Sequence, residues 1–186
     1  MVVSTFHPDD KALLAAFRIA STKEQAFTTI LKKYSERLYW HIRRLVICHD
    51  NRYDVLQNVS IKAWNALGTF REESNLYTWL YRIATNECLS FIEGRKRRAS
   101  LSLNDHEYSL ENKLVAEKGF DLRKVEWRLQ QAIQSLPEKQ RVVFNLRYYD
   151  EMPYEHMSEV TGTSVGALKA SYHHAVKKVE AFFKEE

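Results

Sequence analysis

Interruptions are scarce in this chain: 186 residues contain only five glycines and three prolines. Glycine and proline are the residues that break or redirect regular structure, so their scarcity predicts few turns and long helices. The apolar residues repeat to match. Phe27, Ile30, Leu31, Tyr34 and Leu38 recur every three or four positions and place one apolar stripe on a helix over about residues 23–39. Ile42, Leu45 and Val46 continue the pattern, so this helix either runs long or restarts, before the polar run His49 to Arg52 breaks it.

A second helix is expected from about Asp54, with Val55, Val59, Ala63 and Leu67 on one face and Gly68 as its stop. A third runs from about Leu76 to Arg98. Leu76, Leu80, Ile83, Ala84, Cys88, Phe91 and Ile92 form its buried stripe, and Arg82, Asn86 and Ser90, four apart, point outward. Periodicity fades over 99–120, where acidic and small polar residues predominate, which reads as a linker. It resumes at Asp121, a good N-cap, with Val125, Leu129, Ile133 and Leu136. Pro137 restarts the chain as a helix carrying Val142, Val143 and Leu146, and Pro153 opens a short helix with Met157 and Val160 inward. After Gly162, Ser164 caps a last helix whose core face is Val165, Leu168, Tyr172, Val176 and Val179. No strand alternation competes. The expected fold is all-α: two small helical domains, 1–98 and 121–186, joined by the linker 99–120.

The net charge of +4 is modest, but it is clustered at Arg95, Lys96, Arg97 and Arg98 and again at Lys169, Lys177 and Lys178. Clustered cations, rather than the total, are the footprint of a polyanion. Cys48 and Cys88 lie in apolar-patterned segments and read as buried thiols. No apolar run approaches the length of a membrane span, and no basic start leads into an apolar stretch, so membrane contact is not expected and the cytoplasm is. Catalysis needs acids, bases or nucleophiles gathered in one place. Glu155-His156 and Glu72-Glu73 are isolated pairs, and no glycine-rich phosphate loop or metal-spaced set occurs, so neither enzyme activity nor a cofactor is expected.

The stretch Pro153 to Lys178 has the form of a helix-turn-helix. Ser158 is small where the two helices approach. Gly162, four residues on, supplies the left-handed turn, and Val165 and Leu168 pack the second helix back on the first. A two-helix hairpin within any bundle shares that spacing. What separates the two readings is the polar face of Ser164, Lys169, Ser171, His173, His174, Lys177 and Lys178, which suits phosphates and base edges in a major groove. The neighbours His173 and His174 point about a third of a turn apart and do not converge on a metal.

Two sets of residues resemble the sigma factors of the extracytoplasmic-function (ECF) class. Leu136 to Phe144, Tyr154 to Val160 and Val165 to Lys169 resemble their region 4. Asp54 to Asn58, Lys62-Ala63-Trp64 and above all the string Tyr77 to Asn86 resemble region 2. Together the two cover about residues 20–183. The resemblance implies a transcription initiation factor that binds core RNA polymerase and promoter DNA, with an anti-sigma factor as its usual inhibitor. It implies that Asp54, Gln57 and Asn58 dock on polymerase, Asn58 standing where relatives carry an acid. It implies that Leu76, Tyr77, Trp79, Arg82 and Asn86 read the minus-ten element as opened strand, with Leu76 where relatives often carry an aromatic. Arg95, Lys96, Arg97 and Arg98, four cations in succession beyond that face, are expected to hold phosphates, the other reading being a solvated helix end where cations favour the dipole. Ser164, Lys169, Ser171, His173, His174 and Lys177 would then read the minus-thirty-five element as duplex. Relatives place more arginines on that helix, so a guanine-rich box read by arginine is not expected here.

Two other readings compete: a duplex-binding regulator that carries a helix-turn-helix and needs no polymerase, and a helical hydrolase. The string Tyr77 to Asn86 has no place in the first, and the second lacks a clustered site. A further expectation is that, without polymerase, the two halves pack on each other or on an inhibitor and hide their DNA faces.

Overall fold

The computed structural model describes residues 9–46, 51–101 and 121–184, and every regular element among them is a helix. The N-terminal half holds α1 (Asp10–Phe17), α2 (Lys23–Leu45), α3 (Asn51–Leu67) and α4 (Leu76–Leu101). The C-terminal half holds α5 (Asp121–Gln134), α6 (Glu138–Tyr148), α7 (Tyr154–Thr161) and α8 (Val165–Lys184). The linker assigned to 99–120 lies outside the described residues from 102 onward, as do Cys48 and the side chain of Asp121. Residues 99–101 still belong to α4.

The stripe over 23–46 is one uninterrupted helix. Ala26, Phe27, Ile30, Tyr34, Leu38, Ile42 and Leu45 are buried along a single face of α2. Against it α3 lays Val55, Val59, Ala63 and Leu67, the expected face, although the helix begins three residues before Asp54. Trp64 packs at the edge of this core, its ring 5.3 Å from Phe17 and 5.1 Å from Phe27, both near perpendicular. The helix α1 was not visible in the periodicity, being only two turns long. It buries Leu13, Leu14 and Phe17, and Asp10 accepts hydrogen bonds from the Tyr34 hydroxyl (2.7 Å) and the Lys33 ammonium (2.8 Å).

Two expectations are corrected here. Val125 is 61% exposed, because α5 meets its neighbours through Ala132, Ile133 and Leu136 near its C-terminal end. On α4, Ile83, Phe91 and Ile92 are only half-buried, while Tyr81 and Thr85, outside the expected stripe, are buried. The reason is that α4 is covered twice, by α2 and α3 on one side and by α7 on the other. The turn of the C-terminal hairpin follows its sequence signals. Gly162 ends α7 at φ +66°, a conformation that glycine adopts cheaply, and an added Cβ there would meet nothing within 4 Å, so the requirement is conformational. Ser164 Oγ accepts the Ala167 amide at 3.4 Å and caps α8.

The two halves share one apolar core. Val142, Val143, Leu146, Met152, Met157, Val160 and Leu168 from the C-terminal half join the cluster built on α1 to α4. Helix α7 lies on α4 and α6 on α2, so the halves pack on each other. The expectation that this hides their DNA faces is corrected: Arg82, Asn86 and Ser90 on α4 and most of the polar face of α8 remain exposed.

Candidate nucleic-acid and protein-docking surfaces

Four surfaces carry the residues singled out in the sequence. On the outer face of α4, Arg82, Asn86 and Ser90 are all exposed in a row. Tyr77 and Trp79 are half-buried and held by other rings. Tyr77 lies 4.4 Å from Tyr81 with the Arg37 guanidinium over it at 6.0 Å, and Trp79 lies 5.1 Å from Phe70. Leu76 is the exception. It is 2% exposed and belongs to the core, so it has no surface to offer a base, and the expectation that it contacts DNA is withdrawn.

Where the α3–α4 loop meets α4, a pocket of about 450 Å³ opens between Phe70, Arg71, Ser74, Thr78, Trp79 and Arg82. The loop is shaped by Glu72, in the left-handed region at φ 58°, whose carboxylate receives the Arg18 guanidinium at 2.8 Å. Thr78 lines the pocket, and its hydroxyl is shielded beneath it without a side-chain or backbone hydrogen-bond partner. An unsatisfied polar group of this kind costs about 1–3 kcal/mol and calls for an explanation. The sequence reading placed Trp79 and Arg82 but not the pocket, since Phe70, Arg71 and Ser74 lie on a loop without periodicity. Its rim is shared: Glu159 of α7 also lines it.

The second surface lies on α3. Asp54, Gln57 and Asn58 are exposed, and Ile61, 51% exposed, continues their face one turn on. Tyr53 is 61% exposed and packs its ring 5.5 Å from Tyr39. Trp40 on α2 is 41% exposed under the Arg43 guanidinium. Large apolar side chains left in water beside polar ones make this face a candidate protein-docking surface. Tyr53, Ile61 and Trp40 are not among the expected docking residues, which followed from the resemblance to region 2 and not from apolar spacing. Exposed apolar residues at helical spacing would have been the signal.

The third surface is the end of α4. Arg95 is half-buried, and Lys96, Arg97 and Arg98 are exposed. Lys96 pairs with Glu138 of α6 at 2.5 Å, a contact between the halves. The fourth is α8. Ser164, Lys169, His173, His174 and Lys177 are exposed and Ser171 is half-buried, so the polar face stands open to a groove. Lys178 turns aside to donate to Gln140 Oε1 at 2.9 Å. The His173 and His174 rings are 6.0 Å apart, and no cluster of three or more metal-ligating side chains occurs among the described residues. Cys88 is fully buried, and burial pushes its thiol well above the usual range, which leaves it inert.

The chain that carries these surfaces is similar to known proteins. Residues 30–98 match the family described as sigma-70 region 2, and residues 126–179 match sigma-70, region 4. The chain is 30% identical over 171 residues to the RNA polymerase sigma-H factor of Pseudomonas aeruginosa, covering 88% of this chain and 89% of that protein. It is 30% identical over 177 residues to the ECF RNA polymerase sigma-E factor of Escherichia coli K12, again covering 88% and 89%. Among solved structures, CnrH in complex with the cytosolic domain of CnrY superposes with a TM-score of 0.69 at 21% identity, over 95% of this chain and 98% of that one. The sigma factor RpoE of Bartonella quintana, in complex with the anti-sigma factor NepR, gives 0.67 at 24% identity over 86% and 98%.

Proposed function

This chain belongs to the ECF sigma factors, and from that premise we propose that its four surfaces divide the work of finding and opening a promoter. It is a promoter-specific transcription initiation factor, and its family works without catalysis of its own. The finer assignments are ours.

The α3 surface of Asp54, Gln57 and Asn58 grips core RNA polymerase, with Tyr53 and Ile61 supplying the apolar contact that polar residues alone do not. The α4 surface takes the minus-ten element as single strand. Unstacked bases expose flat faces and polar edges, and Tyr77, Trp79, Arg82 and Asn86 offer rings, a guanidinium and an amide to hold them. Arg95, Lys96, Arg97 and Arg98 extend this track along the backbone phosphates. Ser164, Lys169, Ser171, His173, His174 and Lys177 on α8 read the minus-thirty-five duplex from the major groove. We take 1–98 and 121–186 as the two working domains, with 99–120 as the tether that lets them span both elements. An anti-sigma factor is the expected regulator, in keeping with the structural neighbour RpoE, which was solved in complex with the anti-sigma factor NepR. No helix among the described residues is long and apolar enough to cross a membrane, and the site of action is the cytoplasm, where the polymerase is.

The observation that carries this reading is the exposed row Arg82–Asn86 beside a preformed pocket lined by Phe70, Trp79 and Arg82. The experiment is transcription in vitro with core polymerase on a genomic library, with start sites mapped. New starts that share two boxes support it. A polypeptide that core polymerase does not retain, and that creates no new start, would sink it.

A further inference from the structure

The seam between the halves contains one feature that the apolar core does not explain. Asp150 follows the end of α6 in the short connection to α7, and its side chain is 7% exposed. A buried carboxylate is costly unless its oxygens are well satisfied. Here all three side-chain donors come from the other half. Arg44 Nη1 reaches Oδ1 at 3.2 Å, the Tyr81 hydroxyl reaches Oδ1 at 3.2 Å, and His41 Nδ1 reaches Oδ2 at 3.2 Å. The socket is itself braced. His41 is fully buried; its Nδ1 faces the Asp150 carboxylate, and its Nε2 stands 2.9 Å from the Thr85 hydroxyl. Arg44 also lies 4.2 Å over the Tyr149 ring, and its carbonyl accepts from Gln134 Nε2 at 3.3 Å.

The connection is shaped to deliver this group. Glu151 sits at φ 50°, a left-handed conformation that a glutamate adopts only at a cost of about 1–2 kcal/mol. The Asp150 amide bonds back to the Asn145 carbonyl, and the Met152 amide to that of Leu146. As a result Asp150 and Met152, either side of the strained residue, are both buried at the seam. The same docking brings α7 onto α4, where Glu159 lines the Trp79 pocket and His156 stands 3.4 Å from Asn75. A carboxylate at that rim repels a nucleic-acid phosphate.

We infer that Asp150 is a latch: it plugs into the Arg44–His41–Tyr81 socket, holds the free chain closed, and so keeps the Trp79 pocket partly covered by α7. Opening removes three donors from a buried charge at once, so the latch resists partial loosening and releases as a unit. The effect on DNA rests on the proposed role of the pocket; the closure does not.

The test uses the full chain carrying Cys48→Ser, with dyes on Gln25→Cys in α2 and Glu180→Cys in α8, both exposed positions. Energy transfer is compared between Asp150 and the near-isosteric Asp150→Asn, with Tyr81→Phe as an independent variant that leaves the carboxylate in place. Circular dichroism confirms that helicity is retained. Asp150→Asn should shift the closed–open balance at least about tenfold toward open, the size expected when a charged, buried hydrogen-bonded group is neutralised. Tyr81→Phe should shift it in the same direction by less. Affinity for a single-stranded oligonucleotide carrying the mapped minus-ten box should rise in step. Transfer unchanged in both variants, with native helicity, overturns the latch. Lower transfer with flat oligonucleotide affinity upholds the latch and instead removes the pocket from the minus-ten reading.

Discussion

The two surfaces proposed to meet nucleic acid are built on opposite plans. On α4 the rings of Tyr77 and Trp79 are half-buried, fixed by Tyr81 and Phe70, and only the polar tips Arg82 and Asn86 stand free in solvent. On α8 nearly every candidate is fully exposed, with lysine and histidine in place of aromatics. A surface that must hold an unstacked base gains from side chains already ordered, because ordering them on binding costs affinity. A helix that enters a preformed duplex groove needs reach and positive charge more than rigidity. On the roles proposed here, single-strand capture is written partly into the core of this protein and duplex reading on its skin.

That contrast can be broken in several places. The largest effect falls on Leu76→Ala. If Leu76 is core, as its burial says, the change costs about 2–5 kcal/mol in chemical denaturation and leaves promoter choice intact. A changed minus-ten preference in a chain of native stability would return Leu76 to the DNA surface. Next comes Trp79→Ala, which removes a preorganised ring. Strand capture should weaken by about 1–3 kcal/mol, read as lost permanganate reactivity of the opened promoter, with binding to an isolated minus-thirty-five duplex unaffected. Smaller again are Lys169→Ala and Lys177→Ala. Each should lower the slope of log affinity against log salt by about one and weaken all duplexes alike, and a change in sequence preference would show that α8 reads bases through these lysines. The smallest effect at neutral pH concerns Tyr34 and Tyr81. Burial raises both phenols above their ordinary value, in Tyr34 with help from Asp10 and in Tyr81 from Asp150. A raised folded pKa means that the stability is fully present below the unfolded value of about 10 and is lost as pH climbs beyond it. Alkaline titration by circular dichroism should therefore show unfolding above that pH, and Tyr34→Phe should shift it upward.

How much of this was legible in the sequence follows from what periodicity can report. A helix with one buried face announces itself, and α2 and α3 carry their core residues where the spacing put them. Gly162 and Ser164 act as backbone chemistry requires. Periodicity fails where a helix is buried twice. Tyr81, Thr85 and His41 are polar or amphipathic and sit off the stripes, so nothing local says that another half of the chain will cover them. Asp150 reads as an ordinary turn acid until its three donors, 69 to 109 residues away in sequence, are seen around it. Val125 shows the converse, an apolar residue in register that the neighbouring helices do not reach. The outward row Arg82, Asn86 and Ser90 was visible as spacing; the pocket beside it was not, because it depends on how a loop folds over Trp79.

The shared core has a consequence for any machinery that pulls the halves apart. Leu146, Met152, Met157 and Val160 are almost wholly shielded by the seam and its surroundings. Parting the seam wets some of this oily surface, at about 25 cal/mol for each Å² uncovered. An opened chain adrift in solvent is therefore sticky and a ready target for proteases. The spread-out form is at home only while a larger assembly lends it a dry place to rest.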